Sequence, residues 1–172
     1  MLQKILNSLF GAGMVIAATS MVGICLIILA QIIGRWFGII VPSAEDFSGY
    51  LLAASLFYAL AYSYRHNSHI RVVFLLGRLK PNGRLWIERA NLTLLLMLVG
   101  YCLYALARYC FESYQFNDVS TGFIPVPLWI PQSSMVIGMA LFFIAILDDW
   151  LGCLFGREPS FLQAENRGEG SE

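Results

Sequence analysis

Charged side chains are absent from four long stretches of the chain: Ile5 to Gly34, Phe47 to Tyr64, Ala90 to Ala107 and Val119 to Leu147. An α-helix needs about 20 apolar residues to cross a hydrocarbon core about 30 Å thick, and each stretch supplies close to that number. In lipid the backbone must satisfy its own hydrogen bonds, so runs of this length read as helices and not as strands. The pattern therefore predicts an all-α integral membrane protein with four transmembrane helices, at about residues 9–33, 45–64, 85–111 and 127–150. Residues 1–155 make up the membrane domain, and the polar, small-residue-rich stretch 156–172 reads as a disordered tail.

Polar punctuation sharpens these boundaries. Trp36 and Phe37 follow the first apolar run as an aromatic anchor at the membrane surface. Pro42 and Ser43 break the chain, and Ser43 with Asp46 three residues on has the spacing of a capping box opening the second helix. Ser68 is placed to cap a short amphipathic helix, His69 to Leu79, lying in the membrane surface between helices two and three. The Pro81-Asn82-Gly83 sequence then reads as a turn. Pro125, Pro127 and Pro131 stiffen the entry to the fourth helix, where Pro131 is tolerated because the first turn has free N–H groups anyway. The first apolar run is too long for the apolar core of a cleaved signal peptide and reads as a retained helix.

Composition supports the membrane reading: 58% of residues are hydrophobic and 13% charged, against about 25% charged in a soluble domain. The placement of charge gives the orientation. Six of the eleven basic residues, Arg65, Arg71, Arg78, Lys80, Arg84 and Arg89, fall between the second and third runs. Placing that loop and both termini in the cytoplasm leaves only Arg35 and Arg108 outside, a strong positive-inside bias.

Reactive chemistry has no visible carrier. A solitary pump or transporter usually needs an ionisable or broken-helix site near the bilayer midplane, and the four helix centres offer only Gln31, Asn91, Ser55 and several tyrosines. The four cysteines suggest an alternative, a quinone-linked thiol oxidoreductase. Yet Cys25 lies mid-helix, Cys102 and Cys110 share one helix, Cys153 lies at the inner end, and no C-x-x-C pair occurs. Haem would need histidines on facing helices, whereas His66 and His69 share one loop with no third metal ligand. No cofactor, no metal and no nucleic-acid partner is expected. Small residues recur instead at helix-packing spacings: Gly11, Gly13, Ala17 and Ala18, then Gly49, Ala53, Ala54, Ala59 and Ala61, then Gly138 and Ala140. They serve either packing within the chain or a platform for a second membrane protein.

The order of several loose motifs resembles a known family. Gln31-x-x-Gly34-Arg35 closes the first helix, and the acidic pair Glu45-Asp46 opens the second. Arg65 and His69-Ile70-Arg71-Val72 precede a leucine-rich run to Leu79, and the segment from Thr121 through Pro125, Pro127, Trp129 and Pro131 announces the fourth helix. This order is similar to that of the small membrane subunit, the DctQ type, of tripartite ATP-independent periplasmic (TRAP) transporters. The family often has an acidic residue shortly after the histidine-isoleucine pair, where this chain has Val73 and Phe74.

The resemblance implies a non-enzymatic scaffold in the bacterial inner membrane. It implies a large elevator-type membrane subunit as partner, a periplasmic binding protein that delivers an organic acid, and uptake driven by an ion gradient, with sodium the expected ion. The polar tail implies a separate small subunit and not the fused form. On this reading Arg35, Glu45, Asp46 and Arg108 form an outer charged rim that pairs internally, contacts the large subunit or touches the binding protein. Arg65, His69 and Arg71 grip phospholipid headgroups or tie the amphipathic segment to its neighbours. Pro125, Pro127, Trp129 and Pro131 fix the outer loop.

Overall fold

The computed structural model describes the backbone of residues 2–65 and 81–154, and the side chains of residues 8–64 and 89–152. It contains four helices, α1 (Leu2–Trp36), α2 (Ala44–Arg65), α3 (Pro81–Gln115) and α4 (Trp129–Leu154). The expected amphipathic segment His69 to Leu79 and the tail from residue 156 lie outside the described residues. All four expected helices are present; the first three extend beyond their uncharged runs, whereas α4 starts at Trp129, ten residues into the run from Val119 to Leu147. The largest shift is at the start of α1, which begins at Leu2 and not near residue 9, and at the start of α3 Pro81 opens the helix instead of forming a turn. Proline suits that first position, since its missing N–H has no intrahelical partner to lose and its φ is already helical.

Three helices contain segments long and apolar enough to cross a membrane: Ser8–Trp36 in α1, Arg89–Gln115 in α3 and Trp129–Gly152 in α4. The remaining helix, α2, is shorter and diluted by Tyr50, Tyr58, Tyr62 and Tyr64 and by Ser48, Ser55 and Ser63. Its location tolerates that composition, although the equally central α4 is strongly apolar. Extensive packing is confined to the pairs α1–α2, α2–α4 and α4–α3, so the helices lie in the order α1, α2, α4, α3 with α2 and α4 in the middle. A helix flanked by protein on two sides needs less apolar surface than one facing lipid.

The position of each helix in this layer is written in its buried stripe. On α1 the inward residues are Phe10, Gly13, Ala17, Ser20, Ile24, Ile27, Gln31 and Gly34, alternating at three and four residues with the remaining surface largely exposed. On α3 the corresponding row is Leu92, Leu96, Val99, Leu103, Leu106, Cys110 and Ser113. Such a single narrow seam packs chiefly on one neighbour, although at Gly13 the β-carbon position also lies 3.9 Å from Leu141 Cδ1 of α4. The middle helix α4 buries a wider stripe, Gly138, Leu141, Phe142, Ala145, Ile146 and Asp149, as contact with two neighbours requires.

Small residues set the helix separations. A β-carbon on Gly138 would lie 2.7 Å from Phe57 Cβ and 2.8 Å from its carbonyl carbon, so α2 and α4 meet backbone to backbone there. One on Gly13 would lie 3.3 Å from the Tyr58 carbonyl oxygen. By contrast Gly11 and Gly49 face open space, and Ala18 is exposed. The small residues thus divide into a packing set, with Gly13, Ala17, Ala54, Ala61 and Gly138 buried, and an outward set.

Candidate partner interface

Two helix ends of the layer are finished by left-handed caps. Gly38 (φ 70°) follows α1, and Ile39 N–H reaches back to the Gly34 carbonyl at 2.8 Å. Asn117 (φ 52°) follows α3, and Asp118 N–H reaches the Ser113 carbonyl at 3.0 Å. Both are Schellman closures, which need a residue at ease with positive φ. After the second, the chain folds into a short hairpin: Ser120 N–H donates to the Val126 carbonyl, Leu128 N–H donates to the Asp118 carbonyl, and Val119 bridges Pro127. Pro125 and Pro127 are exposed within it, Pro131 sits half-buried in the first turn of α4, and the Trp129 ring packs edge-on against Tyr114 at 5.8 Å.

The tip of this hairpin is fastened to the start of α2. Ser43 has φ 54°, and its Oγ accepts the Ile124 N–H at 2.9 Å. The expected capping box is therefore replaced by a tertiary contact: the Ser43 carbonyl still accepts the first helical bond, from Phe47 N–H, while its hydroxyl serves the hairpin. The Asp46 carboxylate lies against Gly122, in the space a β-carbon would occupy, and Ser43 Oγ would lie 3.0 Å from that carbon. Sequence reasoning placed Ser43 and Asp46 at the helix start and missed their second partner, because the link spans 81 residues.

Among the described residues the four rim residues form no ion pair with one another. Arg108 Nε donates to Glu112 Oε1 at 2.9 Å, a pair one turn apart on the exposed surface of α3. Arg35 and Glu45 are exposed, and among the described residues Arg35, Glu45 and Asp46 form no ion pair. Around them the hairpin end presents Trp36, Phe37, Ile39, Ile40 and Phe123 outward, the last 88% exposed. The rim is thus a mixed surface of separated charges and protruding apolar groups.

At the opposite end Arg65 closes α2, and His69 and Arg71 lie outside the described residues. There Trp150 Nε1 donates to Thr93 Oγ at 3.0 Å, tying α4 to α3, and Asp149 is buried at 5% exposure. The described cysteines do not assemble a redox centre. Cys102 and Cys110 lie eight residues apart on α3, about 12 Å along its axis, too far for a disulfide. Cys25 is exposed on the far edge, α1. Among the described residues no cluster of three metal ligands occurs.

Comparison with curated proteins gives no match. A family model does match, over residues 24–156, and its description is "Tripartite ATP-independent periplasmic transporters, DctQ component". The match runs from the middle of α1 through α4, taking in the separated rim charges, the clamped hairpin and the helix seams apart from the first half of that on α1. It covers well over half of the chain, and the protein is a member of the DctQ family, the small membrane subunits of TRAP transporters.

Proposed function

We propose that this chain is the non-transporting scaffold subunit of a TRAP transporter in the bacterial inner membrane. In that role it holds a large elevator-type subunit in place while that subunit imports an organic acid handed over by a periplasmic binding protein. A sodium gradient drives the cycle, and both termini lie in the cytoplasm, with all four helices crossing the bilayer. The observation that carries this reading is the content of the helix seams. Between the end groups they hold apolar and small residues with Ser, Tyr, Gln31 and Cys110, and no carboxylate or amine before the Asp148-Asp149 pair near the inner end of α4. Ion coupling at membrane depth ordinarily needs such groups or unwound helix backbone. The layer has neither among its described residues, while it has two long edge faces to offer a neighbour.

The rim belongs to the same proposal. Arg35, Glu45 and Asp46, with no ion pair among the described residues, and the apolar groups beside them form the surface that meets the periplasmic partners. Arg65, His69 and Arg71 meet phospholipid headgroups on the other side.

Reconstitution tests the reading. Liposomes holding this subunit alone should show no solute flux, and uptake should appear when the large subunit and binding protein are added under an inward sodium gradient. Solute flux from the lone subunit would refute the scaffold role.

A further inference from the structure

The two edge helices have seams of the same kind and outward faces of different chemistry. The outward face of α1 is hydrocarbon: Val15, Met21, Val22, Leu26, Leu29 and Ile33 are exposed. Its one exposed mid-helix hydroxyl, Thr19, donates to its own helix at the Val15 and Ile16 carbonyls. That face is complete in lipid. The outward face of α3 carries a second row at three- and four-residue spacing, Leu94, Met97, Tyr101, Tyr104, Arg108 and Phe111, opposite the seam that packs on α4. Tyr101 is 71% exposed and Tyr104 63%.

Depth makes these tyrosines informative. The uncharged part of α3 runs from Ala90 to Ala107, and Tyr101 lies about 18 Å along the axis from Arg89 and about 10 Å from Arg108. A helical side chain leans toward the N-terminus of its helix, so the Tyr101 hydroxyl leans away from the nearer surface and cannot reach water there. No hydrogen bond of the Tyr101 hydroxyl forms within the described residues. Tyr104 lies one turn from Arg108 on the same row, and since a guanidinium can only donate to its oxygen, the Tyr104 O–H remains to be donated. Hydrocarbon offers no acceptor for either.

We propose that the outward row of α3 from Leu94 to Arg108 seats a transmembrane helix of the large subunit, one carrying hydrogen-bond acceptors at the depth of Tyr101 and Tyr104. This rests on the scaffold reading and assigns it a face: α3 docks the partner and α1 faces lipid. The three-and-four spacing of the row is that of a helix-packing seam, and interhelical hydrogen bonds then satisfy what lipid leaves open.

The test uses membranes in which the small and large subunits are co-expressed. A photoreactive p-benzoylphenylalanine at Met97 or Tyr101 should give an adduct of the two subunits on irradiation, and one at Val15 or Val22 should not. Adducts from the α1 positions alone, or from none of the four while the large subunit still copurifies, overturn the assignment and leave the scaffold reading standing. Failure of the unaltered subunit to copurify with the large one overturns both. The variant Tyr101→Phe with Tyr104→Phe keeps the rings and the fold, and it should lower recovery of the large subunit by about threefold per hydroxyl. Unchanged recovery removes the hydrogen bonds from the account.

Discussion

Gly138 and Gly122 show how much one missing methyl group can decide, and how the neighbouring atom sets the outcome. At Gly138 the obstructing atoms include Phe57 backbone, which no side-chain rotation can move. Gly138→Val should destabilise the subunit by about 1–3 kcal/mol through overpacking, seen as a lower melting temperature in detergent. Gly49→Ala, facing open space, should leave it unchanged. At Gly122 the main obstacle is the Asp46 carboxylate, the free end of a side chain. Gly122→Ala should therefore be milder, and its effect should shrink when combined with Asp46→Ala. Equal effects in both backgrounds would show that the contact is not the cause.

Ser43 is strained for a reason of the same kind. Its positive φ directs the hydroxyl to the hairpin, and Ser43→Ala should cost about 1 kcal/mol for the lost bond. The amide of Ile124 should then exchange with deuterium faster than in the unaltered protein. Ser43→Gly loses the same bond but relieves the backbone, so it should be the milder of the two.

At the scale of elements, the helices were legible because charge is so costly in hydrocarbon that its absence marks each run. Their faces were not. In a soluble helix the buried side announces itself by a 3.6-residue alternation of apolar and polar groups, but here the outward side is apolar as well and the period vanishes. Residue size was the one remaining sign. It located Gly13, Ala17, Ala54, Ala61 and Gly138 in seams, yet it also marked Gly11, Ala18 and Gly49, which face outward. Helix starts were read less well, since Pro81 suits a turn and a first helical position equally. The rim charges were legible as a set, but which of them pair was not: Glu112, the partner of Arg108, is an ordinary one-turn neighbour that gave no signal of its own.

For the whole molecule, helix order is the property to check. The β-carbon position of Gly23 lies 3.1 Å from Leu51 Cδ1 across the α1–α2 seam. In a background without native cysteines, Gly23→Cys with Leu51→Cys should crosslink readily. Pairs placed on α1 and α3 should not, because α2 and α4 stand between them; efficient α1–α3 crosslinking would contradict the layer order.

Four rods joined in sequence, each leaning chiefly on the next, behave mechanically as a keel. With neighbouring axes about 8–10 Å apart it presents a broad flank to its surroundings. Lifting it through the bilayer would drag a wide greasy outline into water, and tilting it would do so at one margin first. If a companion polypeptide must heave part of itself up and down while the remainder stays level, such a fin supplies the ballast, and trimming its far margin should make the stroke wobble before it made it stop.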